Sequence, residues 1–205
     1  MGDKYNLDGK HGTYHLSDNA RNYEISRSNN FEFIVTDLDN LILKAANSDT
    51  LGTPVENAQE VLRLSVTRAS VPHFTQNVIE IRRGNSIMKA AGVPTFESGT
   101  LVVNDFIGVN TKQKLIAWQQ LSYNVHTEKI GKMIDYKKDC ELLEYTPDYT
   151  LVRSWLLKGC WISGLSEDDY SMESGDKRMV TVTIQYDRAI PTDASDEIVD
   201  ETTGE

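Results

Sequence analysis

The stretch from Gly99 to Tyr123, GTLVVNDFIGVNTKQKLIAWQQLSY, decides how the chain is read. Its first half, Val102 to Ile107, is β-branched and aromatic, as a strand requires, and Gly108 supplies a turn. Lys112 to Tyr123 then changes period. Leu115, Ile116, Trp118 and Leu121 fall roughly on one stripe at helical spacing above Lys and Gln. Asn110 or Thr111 can cap this helix, because a short side-chain oxygen there accepts from otherwise orphaned first-turn amides. Everything downstream reads as strand and loop, so this is expected to be the one helix against which the main sheets pack.

Upstream, Phe31 to Thr36 is the first strand, with Phe31, Phe33 and Val35 on one face. Val61 to Thr67 alternates Leu62, Leu64 and Val66 against Arg63, Ser65 and Thr67, which predicts a half-buried strand ended at Val71-Pro72. Between them, 37–60 is expected to be an inserted lobe or long loop, with a capping-box start at Thr53-Pro54-Val55-Glu56. Asn77 to Ala91 reads as a hairpin, Val78 to Arg82 and Ile87 to Ala91 flanking a turn in which Gly84 or Asn85 takes positive φ. Arg82, Arg83 and Lys89 make it the densest basic cluster in the chain, which on its own is the mark of a solvated edge.

Downstream, strands are predicted over Tyr136 to Tyr145, Leu151 to Ile162 and Met179 to Tyr186. The middle one is apolar on both faces: Arg153, Trp155, Leu157 and Trp161 on one side, Val152, Ser154, Leu156, Lys158 and Cys160 on the other. A sheet with one wet face does not place Leu156 there, so one face is expected to pack the core and the other to meet a neighbouring chain. Residues 1–30 read as an extended arm, Ser163 to Gly175 as an acidic loop, and 192–205 as a disordered acidic tail.

The 205 residues suit one domain with appendages, and the net charge is -10. Thr192 to Glu205 carry six carboxylates and no Lys or Arg, so the other 191 residues hold only -4. That balance argues against a basic grip on nucleic acid. Cys140 and Cys160 sit in separate predicted strands outside any metal-ligand cluster and read as free, half-buried thiols. No apolar leader or membrane span is expected from the sequence. The chain lacks G-x-S-x-G, H-E-x-x-H and a glycine-rich phosphate loop. His73 and His126 have no evident nucleophile, and the carboxylates of the acidic loop do not follow calcium-loop spacing. Neither an enzyme nor a cofactor or metal is expected.

The order of the elements resembles a known family. The strand FEFIV, IMKAAG followed by Thr95-Phe96, V-x-N-D at Val102 to Asp105, the KQKLIAWQQ helix, Tyr136-Lys137-Lys138 and K-G-x-W at Lys158 to Trp161 look like the tail tube proteins of contractile-tailed bacteriophages, relatives of the haemolysin-coregulated tube protein of type VI secretion. The resemblance covers the first strand and about residues 61–187. It implies a mainly β fold of two antiparallel sheets forming a sandwich or small barrel with one flanking helix. It further implies hexameric rings stacked into a tube inside a sheath, baseplate and terminator partners, and a place in the virion tail after assembly in host cytoplasm. Genomic DNA would pass through without specific binding, and mild acidity suits such a slippery bore.

On this reading the hairpin, with Arg82, Arg83, Gly84 and Lys89, reaches the next ring, and Ser154, Leu156 and Lys158 face the lumen or an adjoining subunit. Two alternatives stand beside it. One is a tube-like baseplate or initiator component; the other is a ligand-binding β-sandwich, suggested by Trp118, Trp155, Trp161 and the many tyrosines.

Overall fold

The computed structural model describes residues 26–48, 57–173 and 175–193. Residues 1–25 of the arm expected over 1–30, the capping-box motif at 53–56 and the tail beyond 193 lie outside them. In chain order the elements are β1 (Phe31–Val35), α1 (Leu38–Ser48), α2 (Ala58–Ser65), β2 (Val66–Ala69), β3 (Phe74–Arg83), β4 (Ser86–Phe96), β5 (Gly99–Asn104), α3 (Thr111–Ser122), β6 (Tyr123–Asn124), β7 (Lys129–Ile130), α4 (Met133–Tyr136), β8 (Lys138–Tyr145), β9 (Leu151–Glu167), β10 (Met179–Gln185) and β11 (Arg188–Asp193). The main strands run β1-β8-β9-β10-β5-β2, with β11 also on β9, and every pairing is antiparallel. The fold is a mainly β sandwich.

Alternation decides the interior. Val180, Val182 and Ile184 of β10, Leu101 and Val103 of β5, Phe33 and Val35 of β1 and Cys140 and Leu142 of β8 are all buried. Cys140 and Cys160 are free and fully buried rather than half-buried. Burial pushes the Cys140 thiol well above its ordinary value, and the adjacent Cys160 adds to the shift.

β9 is long enough to serve both sheets: its first half pairs with β8 and β11, its second with β10. The switch is a bulge at Gly159, whose φ of 68° suits a residue without Cβ. One extra residue inverts the alternation. Cys160 and Ile162, rather than Trp161, therefore turn inward with Leu157, which corrects the face assignment made from unbroken alternation. A Cβ on Gly159 would also stand 2.4 Å from Asp187 Oδ2. Gly159→Ala is therefore expected to lose about 2 kcal/mol, seen as a lower urea midpoint at unchanged slope.

Asp139 clamps the bulge. Its carboxylate accepts from Lys158 Nζ at 2.8 Å and from Gly159 N at 3.1 Å. Burial works against that charge, but the Lys158 ammonium and the Gly159 amide outweigh it and hold the carboxyl below its ordinary value. The stabilisation is complete above the unfolded carboxyl's pKa of about 3.9 and is lost as pH falls through the lower folded value. Acid unfolding of Asp139→Asn should accordingly show a flatter dependence below about pH 4, with less than about 1 kcal/mol lost at neutral pH because the pair is solvent-screened.

The expectation of a single flanking helix is overturned. Leu38, Leu41, Ile42 and Ala45 of α1 and Ala58 and Leu62 of α2 are buried in the same core as α3. The predicted strand over Val61 to Thr67 is mostly α2, and only Val66–Ala69 is strand. α2 also guards the edge of β1: Arg63 pairs with Glu32, and the Gln59 carboxamide, with its oxygen and nitrogen assigned so that both are satisfied, bonds both backbone groups of Val35. Strand continues through Asp193, so Thr192 and Asp193 belong to β11 rather than to the tail expected over 192–205. No helix among the described residues is long and apolar enough to cross a membrane.

Candidate assembly surfaces

Three surfaces were candidates for function: the β3–β4 hairpin, the outward face of β9, and the helix. The hairpin is the largest feature outside the core. Phe74 to Arg83 pairs with Ser86 to Phe96, longer than expected at its base, around a two-residue turn in which Gly84 has φ 61°. Every residue of β3 is exposed. Near the base a bulge in β4 sets Gly92 and Val93 opposite Asn77, and a Cβ on Gly92 would stand 2.5 Å from Asn77 O.

The two hairpin faces differ. Val78, Glu80 and Arg82 oppose Ala91, Lys89 and Ile87, a mixed face with a cross-strand charge pair. Ile79 and Ile81 oppose Ala90 and Met88, an apolar stripe left in water: Ile79 is 52%, Ile81 40% and Met88 53% exposed. A two-stranded hairpin is marginal by itself, and one that holds an apolar face outward calls for a partner surface.

The other predicted residues lie on a different sheet. On β9, Leu156 is half-buried between Glu141 of β8 and Ile190 of β11, Ser154 Oγ donates to Thr192 O at 3.1 Å, and Lys158 pairs with Asp139. Arg82, Arg83, Gly84 and Lys89 cluster at the hairpin tip, so the two sets form separate surfaces. A third outward face was not singled out from the sequence. Thr181, Thr183 and Gln185 alternate away from the β10 core residues beside Thr100 and Val102 of β5, a hydroxyl-rich strip flanked by Arg68 of β2 opposite Val102.

α3 is a brace rather than a site. Leu115, Ala117 and Trp118 are buried and Leu121 packs on the core, whereas Ile116 is only half-buried. Asn110 stands at the N-cap in left-handed conformation with no side-chain cap bond, and Thr111 is buried near Ser65. Sequence reading placed lysines on the wet face, yet Lys114 is 5% exposed. Burial pushes its ammonium below its ordinary value, opposed by the Asp39 carboxylate. Among the described residues, no group of three His, Cys, Asp or Glu side chains is placed to hold a metal ion. Of the tryptophans of the binding-module reading, Trp118 is buried and Trp161 meets Tyr136 edge-on at 5.8 Å, whereas Trp155 is half-buried and lines an open cavity.

No protein family's sequence model matches the chain, and no curated protein matches it. Solved structures do. A chain of the PVC sheath–tube complex of an extracellular contractile injection system superposes with a TM-score of 0.60 at 16% identity, covering 86% of this chain and 97% of that one. The anti-feeding prophage's tube-terminating cap gives 0.58 at 18% identity, over 83% of this chain and 92% of the cap chain. The chain has the fold of contractile-tail tube proteins. The PVC sheath/tube terminator shares this tail-tube fold, with a TM-score of 0.56 at 20% identity over 83% of this chain and 97% of that one. In the tail-tube fold of this chain the motif K-G-x-W acquires a physical reason, since its glycine is the bulge that carries β9 between sheets.

Proposed function

We propose that the protein is a structural subunit of a contractile tail's inner tube, forming hexameric rings that stack within a sheath between baseplate and terminator. The observation that carries the reading is the exposed β3–β4 hairpin on a tail-tube fold, with its apolar Ile79, Ile81 and Met88 face unpartnered in the single chain. The hairpin tip, Arg82, Arg83, Gly84 and Lys89, reaches the next ring. Ser154, Leu156 and Lys158 meet an adjoining subunit, where burial of Leu156 and Ile190 stabilises the contact.

The hydroxyl-rich strip of Thr100, Thr181 and Thr183 then lines the bore. Its own residues carry no Lys or Arg, with Arg68 at its edge opposite Val102, and a bore sparing of basic groups suits passage of DNA, because each basic contact to phosphate adds affinity through counterion release. Electron micrographs of the purified protein should show stacked rings, and a persistent monomer would overturn the reading. A tube-end component is the second reading, favoured by terminator structures that match as well as the sheath–tube chain does. Single rings that never stack would select it.

A further inference from the structure

The sandwich interior is filled in layers set by strand register. Val35, Cys140 and Leu157 form one layer, and Phe33, Leu142 and Trp155 the next. In the third, Phe31, Glu144 and Arg153, the apolar filling stops. There a cavity of about 520 Å3 opens, lined by Phe31, Val71 and Trp155 together with Arg27, Arg68 and Arg153. Glu144 lies 3.7 Å from Arg153 and accepts from Ser26 Oγ, whereas no ion pair to Arg27 or Arg68 occurs among the described residues. The rim is therefore left positive around an apolar floor.

β11 delivers the C-terminal segment to this same layer, because Asp193 pairs in register with Arg153. Residues 194–205, ASDEIVDETTGE, hold one apolar pair, Ile198-Val199, between Asp196-Glu197 and Asp200-Glu201, with no Lys or Arg. Ile198 comes five residues after Asp193, so extended chain reaches up to about 17 Å. Three strand spacings from β11 across β9 and β8 to β1 amount to about 14 Å. The N-terminal segment also leaves nearby, at Ser26. It mixes Lys4, Lys10 and Arg21 with Asp3, Asp8, Asp18 and Glu24, so its charge does not complement the rim.

We propose that this cavity is the docking site of the chain's own C-terminal segment. Ile198 and Val199 enter beside Phe31, Val71 and Trp155, and the flanking carboxylates meet Arg27, Arg68 and Arg153. An exposed ion pair contributes little alone, but several around a desolvated apolar pair act together and fix the register of the peptide. Docked there, the segment closes the seam between β1 and β2, the two ends of the strand path.

The test uses the full chain, dispersed, so its outcome is independent of tube assembly. Val71→Cys combined with Ile198→Cys is oxidised mildly and compared with Ile130→Cys combined with Ile198→Cys. Val71 and Ile130 are 63% and 81% exposed, and Cys140 and Cys160 are too buried to exchange. The first pair should form an intrachain disulfide at least about ten-fold faster, through its higher effective concentration. Adding Arg27→Glu and Arg68→Glu, or raising the salt, should shrink that advantage to about two-fold or less. Equal rates for the two pairs, or an advantage indifferent to charge reversal, would overturn the proposal. So would a disulfide joining two chains, which gives the cavity to a neighbouring copy's tail.

Discussion

Trp118→Ala is expected to cost the fold about 3–5 kcal/mol, a large share of the roughly 5–15 kcal/mol that holds a domain together. Trp118 is 1% exposed, and its side chain joins the core formed by the sheets and all three longer helices. Truncation removes the largest of the fully buried side chains, and the cavity left cannot collapse while α1 and β9 hold the helix from two sides. The indole also donates from Nε1 to Tyr136 O at 2.9 Å, which ties α3 to α4 at the entrance of β8. Trp118→Phe separates the two contributions. It keeps most of the ring and loses the hydrogen bond, leaving the part-buried Tyr136 carbonyl without that donor, for a loss of about 1–3 kcal/mol. Urea unfolding of the two variants measures both, and an alanine loss under about 1 kcal/mol would remove α3 from its place as the central brace.

The segment that opened the sequence reading was legible because its signals are local. Leu101 and Val103 alternate, Trp118 and Leu115 share a helical stripe, and the observed bounds of β5 and α3 fall within a few residues of those predicted. The α2 helix, Ala58–Ser65, is hidden in the sequence for a reason that is physical rather than statistical. In Val61 to Thr67 the set Leu62, Leu64 and Val66 fits a two-residue period, whereas Ala58, Val61, Leu62 and Ser65 fit a helical one, and a short apolar run obeys both. Burial decides: Leu64 is 71% exposed and Ser65 is fully buried.

The start of α2 is likewise fixed from afar. Asp39 Oδ1 accepts from Ala58 N at 2.6 Å and from Gln59 N at 3.3 Å, a cap supplied from another helix that no local motif announces. The bulge at Gly159 has no local periodic signature, and on β9 it inverts the faces of Cys160 and Trp161 relative to unbroken alternation. Of the candidate surfaces, the hairpin was legible from its turn residues. Its extension to Phe74 and Phe96, and the division into one charged and one apolar face, required the register.

Ile79→Asp combined with Ile81→Asp is expected to leave the subunit folded and to abolish stacking of rings. Both side chains are already largely in water and β3 pairs with β4 alone, so the folded subunit should lose little, within about 1 kcal/mol for the pair. Assembly is a different matter. Burying an isoleucine stabilises a contact by about 1.5–3 kcal/mol relative to exposure, and a carboxylate pressed against the same apolar partner adds a desolvation cost. The loss recurs at every subunit of every ring, so even a modest cost per contact removes the polymer. Glu80→Gln and Arg82→Gln on the opposite face are the controls. If the apolar stripe carries the contact, these controls should still assemble. Sedimentation velocity beside circular dichroism reads the two effects apart. Tubes formed by the double variant at wild-type concentration would assign the contact to the charged face, and an unfolded variant would mean that the stripe packs within its own subunit.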